Sequence, residues 1–170
     1  MKPLVVYYSK PGEQYVVGVV DIGNTEVLAK EIIGAVGADE FKIEPQEPYP
    51  KGYMDTVNQA TEEIKQGTRP AYVGDIELAN YDPIYLGYPI WWGDLPPIVY
   101  TFLEKHDLTG KTIIPFNTHE GSGNSNTYER LQQKFPAATF MGGGFNLTGH
   151  EARTKTGLAK LGRWLQGLYQ

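Results

Sequence analysis

Short apolar runs and helical periodicities alternate from one end of the chain to the other. Leu4–Tyr8 is nearly continuous and rich in β-branched and aromatic residues, the pattern of a strand buried on both faces. In Asn24–Val36, Val27, Leu28, Ile32 and Ile33 recur at helical spacing, and Gly37 can end the helix. Glu40–Ile43 reads as a second short strand, "PQEPYPKGY" as a Pro-rich loop and Asp55–Gln66 as a polar helix. Ile84–Gly87 is a third strand, followed by a helix over Pro97–Lys105. "KTIIPFNT" predicts a fourth strand, Tyr128–Phe135 a short helix and Ala138–Met141 a fifth strand. Lys155–Leu168 closes the chain as an amphipathic helix, with Leu158, Leu161, Trp164, Leu165 and Leu168 on its apolar face.

Five strands separated by helices predict parallel pairing through right-handed crossovers, hence an open doubly wound α/β sheet. Ligands of such sheets sit outside the carboxyl ends of the strands, where the strand order reverses. The loops after strands one, three and four are therefore expected to carry the function.

Composition narrows the classes. The 170 residues are the size of one domain, 1–170, with no internal repeat or linker, and 41% hydrophobic with 21% charged residues fits a soluble globular chain. A net charge of −5 argues against a nucleic-acid partner, which wants a basic face. The absence of cysteine removes disulfides, thiolate metal sites and Cys nucleophiles together. "MKPLVVYYSK" is too short an apolar segment for a signal peptide or a membrane span, so no membrane association and a cytoplasmic location are expected.

The first loop, between Tyr8 and the helix at Asn24, has the makings of an anion site. A helix N-terminus presents unpaired amides and positive dipole potential. Gly23 lets the backbone turn closely, and the hydroxyls of Ser9 and Thr25 can add hydrogen bonds. Asn24 and Thr25 are equally good helix caps, so both readings stand at this point. G-x-x-x-x-G-K-[ST] and G-x-G-x-x-G are both missing, which disfavours a nucleoside triphosphatase and a Rossmann dinucleotide site. Between Ser9 and Gly23, "QYVVGVVD" consists of two β-branched runs about Gly18, the pattern of a small hairpin or flap.

In the third loop, "GYPIWWGDLPP" places Tyr88, Trp91 and Trp92 directly after a strand. Two adjacent Trp in a turn are costly to expose, and stacking on a flat ligand explains at least one of them. In the fourth, "FNTHEGSGNSNT", Gly121, Ser122 and Gly123 permit close approach of backbone amides to a ligand edge. His119 and Glu120 add titratable groups there. They make a poor metal pair, being adjacent and without partner spacing, and no G-x-S-x-G elbow is present. His106 and His150 read as surface residues. "NLT" at Asn146–Thr148 matches a glycosylation sequon without a secretion signal to give it meaning.

The strings "GNTEVLAKEI", "YDPIYLGYPIWWGDLP" and "GKTIIPFNTHEGSG" together resemble the flavodoxin family, of the short-chain type, over nearly the whole chain. That resemblance implies a three-layer sandwich with a five-stranded parallel sheet, helices on both faces, and flavin mononucleotide (FMN) as cofactor. By position, Ser9, Gly23, Asn24 and Thr25 would hold the phosphate, with Lys10 at the edge. Pro89, Ile90, Trp91, Trp92 and Gly93 would line the isoalloxazine, one Trp stacking on it. Thr118, His119, Glu120, Gly121, Ser122 and Gly123 would close over its redox edge and pyrimidine end. Two departures stand out. The compact S-x-x-G-N-T turn of the family is interrupted by Pro11–Asp21, and the third loop lacks the strongly acidic surroundings of many electron carriers.

The resemblance implies an electron-transfer protein, monomer or homodimer, exchanging electrons with redox partner proteins or small-molecule acceptors, with no protein side chain acting as a catalyst. The alternative is an FMN-dependent NAD(P)H:quinone or flavin reductase on the same fold, in which His119 would assist proton transfer. A third is a binding module of this fold that has lost its ligand.

Overall fold

The computed structural model describes residues 1–168. Strand β1 (Lys2–Tyr7) lies between β4 (Asp39–Lys42) and β5 (Tyr81–Pro89), and β6 (Thr112–His119) follows β5; every ladder in this sheet is parallel. The order β4-β1-β5-β6 reverses direction at β1, so the switch point falls beside the β1 and β5 loops. Leu4, Val5, Val6 and Tyr7 are fully buried, as the unbroken apolar run requires.

Helix α1 (Asn24–Val36) and α5 (Lys155–Gly167) cover one face, where Leu28, Ile32 and Leu161 meet Val5, Tyr7, Ile114 and Phe116. Helices α3 (Pro97–Lys105) and α4 (Thr127–Lys134) cover the other, bringing Ile98, Phe102 and Leu131 onto Leu4, Val6, Ile84 and Leu86. Helix α2 (Tyr53–Gln66) packs beside α3. The ends of α1 and α3 fall at the residues the sequence pattern marks, because Gly37 takes a left-handed conformation (φ 68°) and Pro97 sits in the first turn of α3.

Two expectations are corrected. The fifth strand is not a single run at Ala138–Met141. Its place beside β6 is shared by β7 (Thr139–Phe140) and β8 (Phe145–Thr148), separated by Gly142, Gly143 and Gly144, all with positive φ. Gly144 passes so close to the Tyr128 ring that a Cβ would lie 2.0 Å from it, which forces the chain out of the strand there. His106 is not a surface residue. Its ring lies 4.2 Å from that of Phe102, and its nitrogens bond the Phe102 and Ile76 carbonyls. His150 is exposed.

The insert forms a separate antiparallel hairpin of β2 (Gly12–Gln14) and β3 (Gly18–Val20). Among the described residues, no helix is long and apolar enough to cross a membrane.

Candidate functional site

A cleft of about 650 Å³ opens at the carboxyl ends of β1, β5 and β6. The structure brings nearly all the expected residues to it: Ser9, Lys10, Asn24 and Thr25 from the first loop, Pro89 to Gly93 from the third, and Thr118 to Ser122 from the fourth. Gly23 and Gly123 are not among the residues that line it.

The first loop builds an anion cradle. The Ser9 hydroxyl accepts a bond from the Glu26 amide at 2.9 Å, and the amides of Asn24 and Thr25 have no partner among the described residues. Those two donors, with the positive end of α1, are the groups that bind a phosphate. Gly23 has an ordinary extended conformation, so its role is one of space. A Cβ there would sit 2.3 Å from Ser9 Oγ and 2.6 Å from the Lys10 carbonyl. Thr25 is buried and its hydroxyl shares a 2.8 Å bond with that of Thr118, tying the first loop to the fourth. Lys10 Nζ donates to the Pro11 carbonyl, and burial pushes its pKa down.

The hairpin leaves Ser9 and Gly23 adjacent. It leans instead on α2: Glu13 accepts from the Tyr53 amide at 2.6 Å and its own amide donates to the Lys51 carbonyl. Tyr15 and Tyr53 rings lie 5.6 Å apart at the cleft wall.

In the third loop, Trp91 and Asp94 exchange both backbone bonds, 2.8 and 3.1 Å, around Trp92 (φ 52°) and Gly93 (φ 70°). Positive φ at both central residues makes this a type I′ turn. Glycine takes that conformation freely; Trp92 is strained in it. The Asp94 carboxylate holds the turn by accepting from Leu95 N, Tyr100 Oη and Arg130, whose guanidinium also donates to the Gly93 carbonyl. The two Trp side chains part company. Trp91 packs edge-on to Tyr8 and Tyr49 at 5.5 and 5.0 Å, whereas Trp92 stays 66% exposed at the cleft.

In the fourth loop, His119 Nδ1 accepts from the Gly121 amide at 2.9 Å, which leaves Nε2–H to donate to Asn146 Oδ1. Both ring nitrogens are thus occupied in holding the loop. The buried Asn117 amide donates to the Gly123 carbonyl and fixes the far side of the same loop. Glu120 as a whole is exposed, yet burial of its carboxyl pushes that group above the usual carboxylate range.

Sequence reasoning missed one contributor to the wall, α2, through Tyr53, Thr56, Val57 and Ala60; the insert, read as a hairpin or flap, adds Glu13, Gln14 and Tyr15. The recurrence of Tyr53, Val57 and Ala60 at helical spacing is the signal that a polar helix turns an apolar stripe inward.

A doubly wound sheet with a cradle, an aromatic turn and a glycine loop at its switch point defines an α/β ligand-binding protein of the nucleotide-binding kind. The flavodoxin family model matches residues 4–166, and the chain belongs to that family. Among solved structures, a provisionally named flavoprotein of Bacteroides eggerthii is 29% identical, with a TM-score of 0.77, covering 99% of this chain and 98% of its own. A similarly named protein of Bacteroides uniformis is 30% identical, with a TM-score of 0.76 and 97% of each chain covered. A Lactobacillus acidophilus flavoprotein solved in complex with FMN shares the fold at 19% identity, with a TM-score of 0.69 over 96% of this chain and 98% of its own. A comparison with curated proteins gave no match.

Proposed function

We propose that this chain binds FMN in the cleft and serves as an electron-transfer flavoprotein. The observation that carries the reading is that two free amides at the start of α1 and the strained, exposed Trp92 border one cleft. The first suits a phosphate monoester and the second a flat ring, which are the two ends of FMN. The donor set fits the cofactor: Ser9, Asn24 and Thr25 would take the phosphate, and Pro89 to Gly93 with Thr118, His119, Gly121 and Ser122 would border the ring, while the Glu120 carboxylate reaches back to Asn24 at the phosphate end. FMN supplies the redox chemistry; the protein supplies position, exclusion of water and the local field.

His119 supports a carrier over an acid–base enzyme. Its Nε2–H points at Asn146 and its Nδ1 at Gly121, so neither nitrogen is left to pass a proton toward the cleft. The reductase reading draws support from one feature, the extension of the cleft along α2 to Val57 and Ala60, beyond the three loops. The visible spectrum of the purified protein after incubation with FMN tests binding. NADH or NADPH oxidation with a quinone then separates the functions: steady turnover by the protein alone favours the reductase, and its absence the carrier.

A further inference from the structure

Arg153, in the 3₁₀ turn Glu151–Arg153 after β8, reaches back across the chain to the phosphate loop. Its Nε and Nη2 both donate to Asn24 Oδ1, at 3.2 and 2.9 Å, and Nη2 also donates to the Ile22 carbonyl at 2.6 Å. These contacts bracket Gly23 on both sides. The Asn24 side chain, fixed by them, turns its amide NH₂ to Glu120 at 3.3 Å. The corner after β8 is built around this arrangement, because a Cβ on Gly149 would lie 2.2 Å from Asn24 Nδ2.

Two things follow from the chemistry. Asn24 offers the cradle its backbone amide rather than its side chain, and Arg153 is what holds it so. The guanidinium is also a cation with no carboxylate within ion-pair distance among the described residues, in a chain of net charge −5. The hydroxyl and amide donors of the cradle are neutral, and Lys10 at its edge turns its ammonium to the Pro11 carbonyl. A fixed unpaired charge behind such donors favours a dianionic ligand and does nothing for an uncharged one.

We propose that Arg153 is the residue that selects for the phosphate of the flavin: it positions the Ile22–Asn24 segment and adds, behind the helix start, a positive charge to that of Lys10 at the edge of the cradle. This rests on the FMN-site reading above. The test compares dissociation constants of FMN and riboflavin, by quenching of flavin fluorescence, in the full chain and in Arg153→Gln. The expected result is FMN weakened about tenfold, riboflavin unchanged, and a flatter dependence of FMN binding on NaCl concentration. Equal weakening of both flavins, as a merely structural role would give, overturns the proposal, as does no weakening of either. Parent protein that binds neither flavin overturns the site reading instead. Should Arg153→Gln not fold, Arg153→Lys serves: retained preference for FMN supports the charge role, and a folded Lys variant without that preference overturns it.

Discussion

The Ser9 hydroxyl accepts the Glu26 amide at 2.9 Å, although a complete hairpin separates the end of β1 from the start of α1. The bond matters because it replaces what a compact turn would provide by covalent proximity. The strand end and the helix start are held together through space, and the hairpin is looped out between them. The cradle thereby keeps its shape while the insert is free to build another part of the wall.

Removing that bond has a defined cost. Ser9→Ala should lower stability by about 1 kcal/mol, as loss of a helix-start bond does, and weaken FMN about tenfold. Gly23→Ala is expected to be worse for binding. Its Cβ would press on Ser9 Oγ and on the Lys10 carbonyl, and the latter is backbone and cannot swing away. Overpacking of this kind costs about 1–3 kcal/mol, and no FMN binding should be detectable by fluorescence titration. A Gly23→Ala protein that binds FMN like the parent would sink the cradle.

The hairpin is expected to be dispensable for the fold. It forms no ladder with the main sheet and is attached to α2 through Glu13. Replacing Gly12–Val20 with a short Gly-Ser linker should leave the far-UV spectrum and cooperative thermal unfolding intact. FMN and riboflavin should both weaken, because Glu13, Gln14 and Tyr15 line the cleft. A loss confined to FMN would place the hairpin at the phosphate instead.

Trp91 and Trp92 should behave in opposite ways. Trp91→Ala removes an aromatic packed against Tyr8 and Tyr49 and should cost about 3 kcal/mol in urea unfolding. Trp92→Gly relieves a left-handed conformation worth about 1–2 kcal/mol, set against about 0.5–1 kcal/mol of added chain entropy from glycine. Its stability should therefore stay within about 1 kcal/mol of the parent, while flavin affinity falls. Equal destabilisation by the two substitutions would mean that Trp92 is packed rather than presented to the cleft.

Much of this was readable from local pattern. Helices α1 and α3 have sharp chemical ends at Gly37 and Pro97, and three strand ends carry loops whose residues meet at one cleft. The hairpin itself was legible, but its strands were not: the first β-branched run, Tyr15–Val17, forms the turn, and Gly12–Gln14 pairs with Gly18–Val20 instead. What escaped was set by contacts distant in sequence. Arg153 reaches Asn24 from the far end of the chain, and no local signal marks it. The division of the fifth strand depends on Gly144 passing the Tyr128 ring, and the assignment of the two Trp on the turn that Asp94 and Arg130 brace. His106 was misplaced because its burial depends on Phe102 one turn earlier and on the Ile76 carbonyl from another segment.

Glu120 gives the pH dependence. Burial raises its pKa, so the folded protein resists its ionisation, and its carboxylate, which accepts from Asn24, stands close to where the phosphate would lie. Below the raised pKa the carboxyl is neutral and Glu120→Gln changes its charge not at all. Above it, the parent carries a negative charge in the cleft and the variant does not. The sign follows: parent and variant should bind FMN alike at acidic pH, and the variant should become the tighter binder as pH rises through that range. The phosphate of the ligand also titrates, near pH 6, but the titration of free FMN is common to both measurements and cancels in the ratio of their dissociation constants, which reports the coupling between Glu120 and the bound phosphate. Stability of the ligand-free chain should move the same way. A carboxyl with a raised folded pKa destabilises the native state as pH rises above its unfolded value, and Glu120→Gln removes that slope from thermal unfolding measured across pH. A ratio that stays flat from acidic to neutral pH would show that Glu120 does not sense the bound phosphate.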